Sequence, residues 1–146
     1  MSEPPDLLSA RIRLLLNCSD DDVGLWEVIN YARHVSPDDT EAARRELTLS
    51  IVRPLLAEGL IHAGFPALGY YDPADHEEMR RKWEALDPTE RFVVSPLPVS
   101  ELLEQIERDW VALGRTPDLG DVIWFTTTPL GRRVANALLD LPSRHP

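Results

Sequence analysis

Between Ile123 and Leu138 the chain reads IWFTTTPLGRRVANAL. β-Branched and aromatic residues dominate its first half, the composition of a strand on a pleated, half-buried surface. Thr128 then precedes Pro129, and Gly131 stands three positions after the threonine. A threonine hydroxyl at a helix entrance accepts a backbone N–H of the first turn, and proline suits the first helical position, whose N–H has no helical partner. The spacing predicts a strand over Val122–Thr128 that passes at Thr128 into a helix burying Leu130, Val134, Ala137, Leu138 and Leu141, stopped by Pro142.

Upstream of this strand, LIHAGF, Leu60–Phe65, reads as a short strand just after a long helical pattern. Leu47, Ile51 and Leu55 line one edge of that helix, and Leu49, Val52, Leu56 and Leu60 widen the apolar face. Ser36, Pro37 and Asp39 have the spacing of a capping box with proline at the first helical position, and Gly59 terminates. Pro54 removes one backbone bond and is expected to kink or split the helix. Two helices precede it. One follows Asp6 and uses Leu7, Leu8, Ile12, Leu15 and Leu16 up to about Asn17. The other, within CSDDDVGLWEVINYARHV, takes Ser19 as N-cap and places Asp20, Asp21 and Asp22 in its first turn, where negative charge complements the helix dipole.

Residues 66–120 have another character, with 12 acidic residues against 6 basic ones. Asp72 and Pro73 read as a helix start, Met79, Trp83 and Leu86 as a narrow apolar seam, and Glu77–Arg81 and Glu78–Lys82 as ion pairs one turn apart on an exposed face. A strand is expected over Arg91–Val94. An amphipathic helix follows, capped by Ser100, ended by Gly114 and buried through Leu103, Ile106, Trp110 and Leu113.

The totals set the class. A chain of 146 residues with 43% hydrophobic and 27% charged residues is sized and composed for one globular domain. No apolar run reaches the roughly eighteen residues that span a bilayer. The opening MSEPPDLL carries acids where a secretory leader carries positive charge, so a cytoplasmic location is expected. One cysteine, Cys18, allows no internal disulfide. The formal charge of −10 opposes polyanions at long range, because nucleic-acid affinity comes mainly from Lys and Arg displacing phosphate counterions.

LLAEGLI at Leu55–Ile61, set beside TTTPLGRRVANAL at Thr126–Leu138, resembles winged-helix regulators of the MarR and PadR kind. In those proteins a recognition helix ends in L-x-x-x-G-L-I and runs into the first wing strand, and the second wing strand ends near L-T-x-x-G-R before a closing helix. Leu56, Gly59, Leu60 and Ile61 match the first fragment. Thr127 or Thr128, Gly131 and Arg132 match the second, with threonine where leucine is usual. The resemblance implies an α+β, mostly helical, winged-helix-like single domain with an enlarged helical insertion between its two wing strands. Residues 1–65 would hold the helices and first wing strand, 66–120 the acidic insertion, and 121–146 the second wing strand and last helix. GLWEVINYAR with LGDVIWFT is also similar to small acidic bacterial proteins of unassigned role, a likeness that implies no activity.

The residues depart from the DNA-reading pattern. The long helix sets Arg44, Arg45 and Arg53 against Asp38, Asp39, Glu41, Glu46 and Glu58, and phosphate contacts need positive excess. The wing is long and acidic, and a helix-turn-helix needs a separate short helix just before the recognition helix. The expected function is therefore a non-enzymatic, cytoplasmic protein-binding or regulatory domain, such as an acidic inhibitor or immunity-type partner of a basic protein. Tyr70, Tyr71 and Trp83 would supply aromatic contact area, with Glu77 and Glu78 as charge. The alternative is a transcriptional regulator binding DNA as a homodimer through Arg44, Arg45 and Arg53. A third reading is a metal-dependent hydrolase using Asp72 and His76, although Arg80 stands where an H-E-x-x-H motif needs its second histidine. No cofactor is expected, since no G-x-S-x-G, P-loop or G-x-G-x-x-G occurs. His34 at a helix end, His62 in a strand and Cys18 beside a helix start all have sufficient structural roles.

Overall fold

The computed structural model describes residues 5–38, 40–68, 76–118 and 121–140. They form α1 (Pro5–Asp20), β1 (Val23–Gly24), α2 (Leu25–Val35), α3 (Glu41–Ala57), β2 (Ile61–Pro66), α4 (His76–Ala85), a 3₁₀ turn (Pro88–Glu90), β3 (Phe92–Val94), α5 (Val99–Leu113), β4 (Trp124–Thr127) and α6 (Pro129–Leu139). The chain is α+β and mostly helical, with one antiparallel sheet in the order β1-β4-β2-β3.

The two fragments singled out in the sequence meet in space. Ile61 pairs with Thr127 and Ala63 with Phe125. Thr128 caps α6 by accepting from the Gly131 N–H at 2.9 Å, and its hydroxyl donates to the Gly59 carbonyl at 2.6 Å. A Cβ on Gly131 would lie 1.9 Å from the Leu60 carbonyl oxygen, so only glycine lets α6 start this close to β2. At the other side of the junction Gly59 takes φ 71°, a left-handed conformation that side chains resist.

Pro54 neither splits nor ends α3, which runs unbroken to Ala57. Its missing N–H would have bonded the Ser50 carbonyl. The Arg11 guanidinium of α1 takes that carbonyl instead, through Nε at 3.2 Å and an η nitrogen at 2.9 Å. A charged donor satisfies the orphan acceptor and pins α1 to α3.

Helix starts differ from expectation in three places. Ser19 and Asp20 belong to the last turn of α1, and α2 begins at Leu25 after Gly24, so Asp20–Asp22 complement no helix dipole. The reason is Val23, which is buried in the core and pairs with Phe125 as part of β1. Thr40 caps α3 by accepting from Ala43, while Ser36 only closes a turn onto the Asp38 N–H; Asp39 lies outside the described residues. Ser100 lies inside α5, which starts at Val99 with no side-chain cap.

The core gathers Leu14 from α1, Leu25 and Val28 from α2, Ile51 and Val52 from α3, Phe125 from β4 and Ala135 from α6. α5 joins it through Leu102, Leu103, Ile106 and Trp110, and its axis lies against α3. Trp110 is 1% exposed and donates its indole N–H to Glu41 at 2.6 Å; Thr116 donates to the same carboxylate at 2.8 Å. Although desolvation opposes ionisation, these donors and Arg44 hold Glu41 below the ordinary carboxylate range. The described part of the segment between β2 and β4 is thus attached through α5 on α3, through Thr116 on Glu41 and through β3 along the edge of β2.

Candidate functional site

Two of the three arginines expected to meet DNA have acidic neighbours within the chain. Arg44 lies 3.7 Å from Glu41, and Arg45 lies 3.9 Å from Glu107 on α5. Arg53 is exposed near the end of α3. The acidic helix α5 of the same chain packs against α3.

A different surface collects chemistry. Where the outer face of the sheet meets α4, a half-open cleft of about 640 Å³ is lined by Asp20, Asp21 and Asp22 on one side and Met79, Arg80 and Trp83 on the other. Trp124 and Pro66 contribute from the sheet, Leu68 follows β2, and Arg91 also lines the space. Its volume falls in the range usual for ligand sites.

Local rules explain how the walls are set. Trp124 pairs with Gly24 on β1 and Gly64 on β2, so its strand neighbours on both sides lack side chains. Trp26 folds over Gly24, where a Cβ would come within 1.6 Å of its ring, and meets Trp124 edge-on with centroids 4.8 Å apart. The indole of Trp124 is thereby held across the sheet face. On α4, Met79 and Trp83 are one helical turn apart and share a side. Arg91 lies 3.6 Å over the Trp83 ring and donates to the Trp83 carbonyl at 3.2 Å, fixing the indole at its helix end. Trp83 is still 48% exposed.

The acidic wall is electrostatically costly. Asp20–Asp22 stand at the carbonyl end of α1, where the helix dipole is itself negative. Asp21 accepts from the Asp22 N–H at 2.8 Å. Asp22 is half-buried; desolvation raises its pKa above the usual value, a hydrogen bond from Thr126 opposes the rise, and Asp21 adds to it. Glu27 nearby is raised in the same way, chiefly by desolvation. Among the described residues no ion pair joins these aspartates to Arg80 or Arg91.

Of the residues expected to bind a partner, Trp83 lines the cleft. Glu77 and Glu78 are exposed on α4 and pair with Arg81 at 3.7 Å and Lys82 at 3.3 Å. Tyr70, Tyr71 and Asp72 lie outside the described residues, as does the side chain of His76, so the Asp72–His76 metal reading falls there too. Among the described residues no group of three His, Cys, Asp or Glu is arranged to hold a metal. Cys18 is buried near the end of α1, where desolvation and then Asp22 and Glu27 push its thiol pKa far up, the opposite of an activated nucleophile. Sequence reading missed Asp22, Trp124 and Arg91. The paired glycines opposite Trp124 and the aspartate triplet were visible signals, but their meeting depends on the register of three strands. No family model, curated protein or solved structure matches the chain.

Proposed function

We propose that this protein is a non-enzymatic binding module that captures a basic protein, with the cleft between the sheet and α4 as its contact site. The observation that carries this reading is the wall Asp20–Asp22, unpaired with any base among the described residues, beside two partly exposed indoles. A protein does not gain stability by stacking carboxylates at the negative end of a helix. Such local conflicts concentrate where function requires them. An incoming cation would relieve the repulsion, and Trp83 and Trp124 would give it aromatic contact area. The charge of −10 would speed encounter with a basic partner. An inhibitor or immunity-type role fits this chemistry.

The scaffold reads as winged-helix-like: α1, β1, α2, α3 and β2 come first, α4, β3 and α5 intervene, and β4 and α6 close the chain, with β4 set between β1 and β2. That order supports a second reading, a regulator that presents α3 to DNA. Against it stand the internal pairing of Arg44 and Arg45 and the position of α5.

The readings separate by titration. A doubly blocked arginine-rich peptide should shift indole emission saturably, and Asp20, Asp21 and Asp22 together replaced by Asn should weaken that binding by about tenfold or more, since charge-assisted bonds are worth roughly 1.5–3 kcal/mol. Unchanged affinity in the triple variant removes the proposal. Retention on duplex DNA at about 50 mM salt, lost steeply as salt rises, would favour the regulator instead.

A further inference from the structure

The cleft has two chemically opposite walls. Asp22 stands on the core side and Arg80 on the α4 side, both lining the same space. Opposite charges around one cavity ordinarily close on each other. Here no ion pair or hydrogen bond joins Arg80 to the aspartates among the described residues, and Arg91, the other cation of the cleft, is spent on the ring and carbonyl of Trp83. A purely cationic ligand would leave Arg80 without a counter-charge.

We infer that the cleft reads the free carboxyl-terminal end of a basic chain: the side-chain cation of a terminal arginine or lysine against Asp22, its α-carboxylate on Arg80, and its methylene stem along Trp83 and Trp124. This rests on the reading of the cleft as the site for a basic partner and adds which part of the partner enters. The chemistry matches in three respects. A terminal Arg or Lys carries its two charges at opposite ends of a flexible apolar stem, as facing walls demand. A guanidinium presents a planar fork of donors to a carboxylate and stacks on indole faces, as Arg91 already does on Trp83. A carboxylate accepts two parallel N–H bonds from a guanidinium such as that of Arg80. Desolvation of Asp22 adds to the gain, because a carboxylate that has already lost water binds a cation more strongly.

Free arginine shares this chemistry, so the test has arms for both sources. A short peptide ending in arginine is titrated as the free acid and as the amide, alongside L-arginine, by calorimetry and indole fluorescence on the full chain. The free acid should bind about tenfold or more tightly than the amide, the worth of one charge-assisted contact. Arg80→Gln should abolish that difference without changing binding of the amide, and Asp22→Asn should weaken both peptides. L-Arginine binding with the same two dependences, without the peptide, keeps the site and assigns it to the free amino acid. Equal binding of acid and amide overturns the carboxylate inference while leaving the acidic-wall reading intact. No binding by any of the three removes both. Arg80 is exposed on the surface of α4, so its substitution leaves the core untouched, and circular dichroism verifies the fold of each variant.

Discussion

Asp22 sets a trade between stability and recognition. Its folded pKa is raised by desolvation, so ionisation at neutral pH costs the native state, and that cost is relieved as pH falls through the raised value toward the ordinary 3.8. Asp22→Asn keeps an acceptor for Thr126 and loses the charge. It should raise the melting temperature at pH 7, with a gain that shrinks toward pH 3.8, while weakening binding; a melting temperature lowered at pH 7 contradicts this account. Arg11 tests a second single-residue argument. Arg11→Ala should cost about 1–3 kcal/mol in urea unfolding by leaving the Ser50 carbonyl without its donor. In a Pro54→Ala background residue 54 regains the N–H that reaches Ser50, so the same arginine replacement should cost measurably less. Equal costs in the two backgrounds would show that Arg11 acts through packing alone. Pro54 was visible in the sequence as a helix problem; the solution is Arg11, on another helix and 39 residues from the Ser50 carbonyl it satisfies, which no local pattern reports.

At the scale of elements, the Glu41 carboxylate supplies the buried polar link between α3 and α5. Replacing Glu41 with Ala would leave the indole N–H of Trp110 buried without an acceptor, at a cost of about 1–3 kcal/mol. Amide exchange should then quicken first in α5. Because the folded pKa of Glu41 is lowered, the stability it supplies is present above its ordinary value of 4.5 and is lost as pH falls through the folded value. Wild type and Glu41→Ala should therefore converge in stability on acidification, and a difference that stays constant to pH 2 refutes the assignment. Helix positions were legible from periodicity, and α6 was legible in its cap at Thr128, but not in its buried face: Leu130 and Ala137 are exposed, and Gly131 and Ala135 are buried instead. Starts were less so, because capping motifs such as Ser36–Asp39 and Ser19–Asp22 state only that a helix entrance is affordable there. Val23 chose the strand over the helix because burial against Phe125 outweighed a local cap.

For the whole molecule, the segment between β2 and β4 is no loose appendage. Leu102, Leu103, Ile106 and Trp110 share one core with α1, α2 and α3, so urea unfolding followed by indole emission and by far-ultraviolet circular dichroism should give coincident single transitions. Separate transitions would mean that α5 folds and detaches on its own. Sequence alone established the mostly helical α+β class, the acidity and the shortage of cations, because composition and short-range spacing carry those properties directly; the joining of Gly59–Ile61 to Thr126–Gly131 was legible only through the winged-helix resemblance. Tertiary structure alone decided that Arg44 and Arg45 are answered within the chain, that β1 and β3 extend the sheet, and that Asp22, Arg80, Trp83 and Trp124 surround one cleft. Those residues come from separate elements, and only strand register and helix packing bring them within reach of a common ligand.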